Sequence, residues 1–503
     1  LLTSDKYESG QPAFSRDGKW LYYLSNRHFE TRDSVWEDRD FGPSFEKRTE
    51  VFAHALTEDA EFPFRVPTEL TPAKPDDEED DEEPEEVIVD VAWDGLVDRI
   101  WQVPVAAGDY ADMAINDEYL YLLAESDNGS EIMVLAIEPE PEPASFTDGV
   151  AAMELSDDGA MMLIVKQAEE TTEMYIVPAV DTLPEDTSDN VVQTDGWQIS
   201  IDPRAEWTQM FHDAWLMHRE QFYDPNMRGV DWVATRDKYA PLLKRVTDRH
   251  ELNDVLGQMM GELNALHSAV RGGDVPSDPE APTPSTLGAK LVQTDNGVEI
   301  AHIYYHDNEV PSAAPPLSQP GVDAANGDII VAVNGSQTGS LESVHRALRN
   351  QAGKQVLLRL KRGRDEIQTV VVPVEIRSDG NFRYNEWVQQ NRLKVEAAAN
   401  DIGYLHIKNM GASDVAAFAR EFYALNDKKG VVIDVRRNGG GNVDSWIIDR
   451  LMRKAWMFWA YRTDTPYFNM QNAFRGHLAV LADEYTYSDG ETFTAAIKAL
   501  DIA

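Results

Sequence analysis

The sequence contains no cysteine, few basic residues and no long apolar run. Without cysteine among its 503 residues, the chain forms no disulfide, uses no thiolate nucleophile and offers no Cys ligand to a metal. Its 45 Lys and Arg residues face 89 Asp and Glu residues. The resulting net charge of −44 repels phosphates, so we expect no nucleic-acid partner. Because no stretch reaches the roughly 18–20 apolar residues of a membrane span, we expect no membrane partner either.

Several catalytic motifs are also missing. The sequence has no G-x-S-x-G, no H-E-x-x-H and no P-loop, which argues against an α/β-hydrolase, a zinc peptidase and a nucleotide-driven machine. We therefore predict neither a metal site nor a cofactor. The chain is too long for one apolar core, so several domains are expected. Since it begins at Leu1 without Met and stops at Ala503 inside an unfinished α/β pattern, we expect a fragment of a longer protein.

A repeated β pattern covers residues 1–199. Short turns precede apolar strands at Asp17-Gly18, Asn116-Asp117 and Asp158-Gly159. The interval from Asn116 to Asp157 is about 40 residues, the length of one propeller blade. The longer interval from Asp17 to Asn116 predicts two blades with an insertion. We therefore predict a partial β-propeller.

An acidic tract marks that insertion, residues 74–88. Ten of the eleven residues 76–86 are Asp or Glu. Such a tract cannot bury enough apolar surface to fold, and it predicts a disordered, solvated loop. A binding role is the alternative.

Residues 200–275 show helical periodicity instead. Asp202 at an N-cap and Pro203 in the first turn predict a helix whose apolar face belongs to the core. A second helix is predicted over residues 249–266, with Leu266 as the last member of its apolar stripe. It leads into His267, which is followed by a glycine turn. A lone histidine is usually structural or exposed, but this position equally suggests a catalytic role.

Residues 282–376 form a third unit between proline-rich boundaries. The run Asn326–Gly335 has the pattern G-D-x-I-x-x-V-N-G, and a predicted helix and closing strands follow it. This pattern resembles a PDZ domain. The resemblance implies binding of extended peptides by strand addition.

The last unit, residues 377–503, alternates strands and helices as an α/β sandwich does. A strand over residues 431–435 runs into a glycine triplet that ends at Gly441, and a strand over residues 478–482 leads to Ser488. A helix predicted from Thr492 onwards would place its positive end near that hydroxyl, where an oxyanion is stabilised. The alternatives are a serine that caps the helix and a glycine triplet that only makes a tight turn.

These parts fit one chemistry when they are taken together. A serine hydroxyl needs a base to attack near neutral pH, and the imidazole of His267 has a suitable pKa range for that work. Glycine lets a backbone N–H approach the negative oxygen of the intermediate closely. The sequence therefore predicts that His267 and Ser488 meet in space.

The order of parts resembles the second half of the tricorn protease family, which is related to the tail-specific (C-terminal processing) serine peptidases. The most specific segments are Asp434–Gly441 and Tyr485–Glu491. The resemblance implies a multidomain fold: a partial β-propeller, a helical catalytic subdomain, a PDZ-like domain and an α/β peptidase domain. It also implies catalytic roles for Ser488 as nucleophile and His267 as general base, and an oxyanion hole formed by the backbone amides of Gly441 and Asp489.

One position departs from the family pattern. The family has a serine immediately before the histidine, whereas this chain has Leu266, which we attribute to core packing on the helix stripe. The family also uses an orienting glutamate, which is expected beyond Ala503. Arg436 and Arg437 beside the glycine loop either attract a peptide carboxylate or pair with acidic side chains.

By resemblance, the chain is expected to be a serine endopeptidase that hydrolyses peptides or unfolded polypeptides through an acyl-enzyme. Peptide substrates and further copies of the chain are the expected partners, with a hexamer as the implied homo-oligomer. The implied location is the cytoplasm, and the periplasm or secretion is the alternative. The competing hypothesis is a catalytically impaired scaffold that binds peptides through the propeller and PDZ units.

Overall fold

The computed structural model describes the whole chain except residues 1, 4–5, 29, 32–44, 69–88, 90, 127–128, 168–170, 195, 274–277, 279, 308–309 and 464–465. The acidic insertion expected over residues 74–88, with its tract 76–86, lies outside the described residues. The chain divides into two compact units, Leu1–Ser200 and Ile201–Ala503. Among the described residues, no helix is long and apolar enough to cross a membrane.

Antiparallel sheets build the first unit. Its strands are β1 (Ser9–Phe14), β2 (Trp20–Asn26), β3 (Glu30–Thr31), β4 (Phe45–Glu46), β5 (Thr49–Ala55), β6 (Ile100–Gln102), β7 (Tyr110–Ile115), β8 (Tyr119–Ser126), β9 (Gly129–Ala136), β10 (Ala144–Asp148), β11 (Val150–Leu155), β12 (Met161–Gln167) and β13 (Thr172–Pro178). Three sheets have the orders β1-β2-β5-β6, β10-β9-β8-β7 and β11-β12-β13, and β3 pairs with β4.

Strand β8 shows how these sheets pack against one another. Leu120 and Leu122 enter the core shared with the first sheet. Tyr121 and Leu123 enter the core shared with the third sheet. Because successive side chains of a strand point to opposite faces, one apolar strand supplies both cores. This explains the uninterrupted apolar run Leu120–Leu123 of β8.

The first sheet corrects one prediction. In the described part of the interval from Asp17 to Asn116, β2, β5 and β6 join β1 in a single four-stranded sheet, β3 pairs with β4, and β7 already belongs to the next sheet, so one blade-sized sheet stands where two were predicted. The additional residues lie in the connections from β2 to β5 and from β5 to β6. The prediction from spacing therefore mistook these insertions for a second blade. The packing of successive sheets is compatible with propeller blades, and the partial β-propeller stays a prediction.

Three helices open the second unit: α1 (Pro203–Gln221), α2 (Trp232–Tyr239) and α3 (Arg249–Gly261). The Asp202 carboxylate caps α1 by accepting from the N–H groups of its first turn. Phe211 and Trp215 of α1 are buried against α3, as their helical spacing predicted. The same core is completed by Leu252 and Met259 of α3.

Helix α3 ends at Gly261 and not at Leu266. Asn264 follows with a φ of +47°, a left-handed conformation that turns the chain away from the helix axis. Leu263 is the last buried residue of the stripe, whereas Leu266 is 54% exposed. The attribution of Leu266 to core packing is therefore wrong.

A six-stranded antiparallel sheet with one helix follows. Its elements are β14 (Ser285–Thr286), β15 (Ala289–Thr294), β16 (Gly297–Ile303), β17 (Ile329–Val333), β18 (Ser336–Gln337), α4 (Leu341–Ala347), β19 (Val356–Arg362), β20 (Asp365–Val371) and β21 (Val374–Glu375). The main order is β15-β16-β17-β19-β20, with β18 paired to β17 and β14 to β21. Asp328 of the motif is fully buried because Arg362 pairs with both of its oxygens, at 2.8 and 2.9 Å.

The chain ends in an α/β unit with a parallel sheet. Its elements are α5 (Asp379–Ala398), β22 (Ile402–His406), α6 (Ala412–Tyr423), β23 (Gly430–Asp434), α7 (Asp444–Met452), β24 (Met457–Trp459), β25 (Tyr467–Asn469), β26 (His477–Leu481) and α8 (Asp489–Ala499). The parallel order is β22-β23-β26. Helix α8 begins directly after Ser488, earlier than the predicted start at Thr492. Helices α6, α7 and α8 bury their apolar faces in one core with this sheet.

Asn116 provides a test of the packing in the first unit. Its side-chain N–H groups donate to the carbonyls of Gly159 and Ala179, and its oxygen accepts two N–H groups of its own turn. We expect Asn116→Ala to lower the unfolding free energy of this unit by about 2–4 kcal/mol, because buried partners lose their hydrogen bonds. Urea denaturation followed by hydrogen exchange in β8 and β12 measures the loss.

Asn190→Ala is the matched control. Asn190 is half-buried, and its side-chain N–H donates to the carbonyl of Ile176 at 2.8 Å. Its loss should cost about 0.5–1 kcal/mol. Equal losses from the two variants would contradict the assigned role of Asn116.

Candidate active site

Two loops leave the carboxyl edge of the parallel sheet side by side. The glycine loop, residues 435–443, follows β23, and the serine loop, residues 482–488, follows β26; the two strands pair in register up to their last residues. The N–H of Tyr487 donates to the carbonyl of Asn438 at 2.9 Å. The two loops are thereby joined where the candidate nucleophile stands.

Ser488 makes a sharp turn from the serine loop into α8. Its φ of +55° and ψ of −121° are rare for a residue with a side chain, and such strain is concentrated at functional sites. Its N–H donates to the Glu491 carboxylate at 3.2 Å. Ser488 thus occupies the N-cap position that its structural alternative required. Its hydroxyl also lies 3.0 Å from Nε2 of His267.

Glycine is required in the glycine loop for two reasons: neighbouring atoms lie too close for a Cβ atom, and the backbone turns with positive φ. At Gly440, whose φ is +80°, a Cβ atom would lie 2.5 Å from Cβ of Ser488. At Gly441, whose φ is +154°, a Cβ atom would lie 1.8 Å from the carbonyl oxygen of Met410. The tight-turn interpretation therefore describes only part of the triplet.

His267 lies in the histidine loop, residues 262–273, which follows α3. It has a φ of +65°, and its ring centroid lies 5.3 Å from the ring of Tyr487. The Nε2 contact with Ser488 joins residues 221 positions apart. Within the part of the chain that the structure describes, Nδ1 of His267 has no hydrogen-bond partner.

Side chains from two other segments hold the histidine loop. Nδ1 of His218 on α1 lies 3.0 Å from the carbonyl of Ala214, so that nitrogen carries the proton. Nε2 of His218 then accepts from the Ser268 hydroxyl at 2.9 Å. On the other side of the loop, Arg228 donates to the carbonyl of Asn264 at 2.5 Å. The backbone on both sides of the candidate base is therefore fixed.

The predicted oxyanion donors lie at the same cleft. Gly441 and Asp489 line it together with Ser488, His267 and Leu266. Among the described residues, the N–H groups of Gly441 and Asp489 have no acceptor. Two free N–H groups beside a hydroxyl are what a developing oxyanion needs, and the start of α8 adds its dipole.

Asn438 has a role that the sequence analysis did not assign. It is fully buried; its Oδ1 accepts the N–H of Gly440 at 2.8 Å, and its Nδ2 donates to the carbonyl of Ile407 at 2.8 Å. These bonds shape the glycine loop from the inside. The available signal was an Asn between an apolar strand and three glycines.

The Asp489 side chain is structural. Its Oδ2 accepts the N–H groups of Val443 and Asp444, at 2.9 and 3.0 Å, at the start of α7. Burial raises the pKa of this carboxyl, and the backbone hydrogen bonds act in the opposite direction. Asp489 therefore ties α7 to α8, and its carboxylate is occupied rather than aimed at Ser488.

The two arginines of the glycine loop differ. Arg436 pairs with the buried Asp434, and it lies 5.3 Å over the ring of Trp387. Burial alone would raise the pKa of Asp434, but hydrogen bonds from Arg436 and from Tyr404 outweigh it and keep that pKa below its usual range. Arg436 is thus committed to an ion pair. Arg437 is exposed, with its guanidinium 5.3 Å over the ring of Tyr485.

Leu266 lies at the site and not in the core. It lines the cleft of Ser488 and also a neighbouring cleft against α1.

In the described ranges of the chain, no group of three or more His, Asp or Glu side chains is placed to hold a metal ion.

Comparison with protein-family models matches three segments of the second unit. Residues 203–261 match the tricorn protease C1 domain, residues 285–375 the tricorn protease PDZ domain, and residues 401–503 peptidase family S41. The last segment contains the glycine loop and Ser488. The chain thus has the S41 type of peptidase domain.

Curated relatives extend the similarity over the whole chain. Tricorn protease homolog 1 of Streptomyces coelicolor is 30% identical over 99% of this chain and 48% of its own length. Tricorn protease of Thermoplasma volcanium is 25% identical over 100% of this chain and 47% of its own length. The crystal structure of the tricorn protease superposes with a TM-score of 0.83 at 24% identity, covering 100% of this chain and 48% of that one. The chain belongs to the tricorn protease family, and it spans about half the length of these relatives.

Gly440→Ala tests the contact between the two loops. Because the new Cβ would overlap Ser488, we expect displacement of the hydroxyl and at least a hundredfold slower labelling by a fluorophosphonate probe. Gly411→Ala is the control, since its φ is −117° and its nearest neighbour would be 3.5 Å away. Labelling of Gly440→Ala at the rate of the parent protein would contradict the close approach.

Ser268→Ala tests the support of the histidine loop. Loss of the bond to His218 should let His267 sample more orientations and slow labelling of Ser488 about tenfold, with little change in melting temperature. Ser268→Thr keeps the hydroxyl and should restore the rate. Absence of rescue by threonine would show that Ser268 acts only through packing.

Proposed function

We propose that this chain carries the catalytic site of a serine peptidase that cleaves peptides or unfolded polypeptides through an acyl-enzyme. The observation that carries the proposal is the 3.0 Å contact between the Ser488 hydroxyl and Nε2 of His267. Family membership and the free N–H groups of Gly441 and Asp489 support the same chemistry.

In the proposed first step, the Ser488 oxygen attacks the scissile carbonyl carbon while Nε2 of His267 takes the hydroxyl proton. The carbonyl oxygen becomes negative and accepts hydrogen bonds from the N–H groups of Gly441 and Asp489. Removal of one such donor typically costs about 10²–10³ in rate. The carbonyl then re-forms, the C–N bond breaks, and His267 gives its proton to the leaving amine.

In the second step, water replaces the amine. His267 takes a proton from water while the water oxygen attacks the ester carbon; the ester C–O bond then breaks, His267 gives the proton to the Ser488 oxygen, and the carboxylic acid product leaves. An acid group on Nδ1 would orient the imidazole and stabilise its charged form. The resemblance assigns that role to a glutamate outside these 503 residues.

The finer architecture is part of the proposal. We assign residues 1–199 to a partial β-propeller, 200–275 to a helical catalytic subdomain, 282–376 to a PDZ-like domain and 377–503 to the peptidase domain. Successive packed sheets in the first unit and the matched tricorn domains in the second support this division. A homo-oligomer, with a hexamer as the implied form, and a cytoplasmic location rest on the family resemblance.

A peptide-binding scaffold is the second candidate function. The observation that favours it is Nδ1 of His267, which has no partner within the described residues. In that case the PDZ-like domain would bind extended peptides and Ser488 would be unreactive.

Labelling of the full-length protein with a fluorophosphonate probe separates the two functions. We expect modification of Ser488, none in Ser488→Ala, and a rate about 10²–10⁴-fold lower in His267→Ala. Ser336→Ala, an exposed serine on β18, should label like the parent protein. A folded full-length protein that neither labels nor hydrolyses peptides would favour the scaffold.

A further inference from the structure

A second cleft adjoins the candidate catalytic pair. This α1 cleft, of about 590 Å³, lies between the end of α1 and the histidine loop. His267 and Leu266 line both it and the cleft of Ser488, whereas Gly441, Ser488 and Asp489 line only the latter. The two clefts therefore meet at the imidazole and Leu266.

Large apolar side chains surround the α1 cleft and face solvent. Met217 is 56% exposed, Tyr223 is 74% exposed and Leu266 is 54% exposed, and Phe222 and Ala269 lie beside them. Single exposed apolar residues need no explanation, but a group of them around one concavity marks a binding surface.

Some polar groups of the cleft are already engaged. His218 and Ser268 bind each other, and Arg228 donates to the carbonyl of Asn264. No lining residue is acidic. The cleft therefore offers apolar contact and no acidic group for a cationic ligand, which would lose its hydration there.

The position of the imidazole indicates which half of a substrate lies in the α1 cleft. A general acid must lie beside the amine that leaves, so the segment after the scissile bond runs on the imidazole side of the nucleophile. The α1 cleft is on that side, because it shares His267 with the site but not Ser488 or the oxyanion donors.

We propose that the α1 cleft binds an apolar side chain from the first residues after the scissile bond, with Leu266 and Met217 as specificity-determining residues. This inference rests on the proposed peptidase function. It gives Leu266 a role at the position where the family has a serine: an apolar wall for substrate.

The first test is the sequence of the products. The full-length protein is incubated with a denatured protein mixture, and new termini are read by mass spectrometry. We expect Leu, Met and Phe to be enriched about tenfold at the first or second residue of new N-termini. Enrichment only among new C-termini, or none at all, would overturn the proposal.

The second test uses two peptides that differ by Leu or Asn at the enriched position. We expect Met217→Gln and Tyr223→Ser each to lower the Leu-to-Asn ratio of kcat/KM about three- to tenfold. Leu393→Glu, an equally exposed apolar residue on α5, is the control and should leave the ratio unchanged. A ratio is insensitive to the folded fraction of each variant.

The fluorophosphonate probe keeps the two proposals apart. It has fluoride as its leaving group and makes no demand on the α1 cleft, so it reports the Ser488–His267 pair alone. No labelling and no hydrolysis would remove the proposed function. Labelling and hydrolysis with an unchanged Leu-to-Asn ratio in both variants would remove only the assignment of the cleft.

Discussion

The buried amide of Asn438 holds the candidate site together. The backbone carbonyl of Asn438 accepts from the N–H of Tyr487. Its side chain accepts from the N–H of Gly440 and donates to the Ile407 carbonyl. Those bonds press the glycine loop against the turn at Ser488, where a single added Cβ atom would overlap the serine. The strained backbone of Ser488, the free N–H of Gly441 and the reach to His267 all depend on this contact.

The placement of the candidate pair could be predicted because it follows from where secondary structure ends. Apolar strands locate the carboxyl edge of the parallel sheet, and loops that leave this edge together meet there. Ser488 and the glycine triplet stand directly after such strands. His267 stands after an apolar helix, and its meeting with Ser488 was inferred from chemistry and from family resemblance rather than from local pattern.

Other features could not be read from periodicity. A helical stripe predicts burial only while the helix continues, and the left-handed Asn264 ended it before Leu266. Spacing predicts blades only when connections are short, and the long connections of the first sheet broke that condition. Asn438, and the pair of His218 with Ser268, act through side-chain bonds between distant segments, which leave no periodic signal.

The separation of the pair along the chain has a consequence for biosynthesis. The ribosome completes the histidine loop and then residues 282–376 before it adds Ser488, which lies 221 positions after His267. The growing polypeptide therefore contains the candidate base, His267, but lacks the candidate nucleophile, Ser488, until β26 has been added to the parallel sheet. Under the proposed function, hydrolysis would begin only after most of the surrounding architecture has been made, and the emerging chain and its neighbours would be protected from cleavage until then.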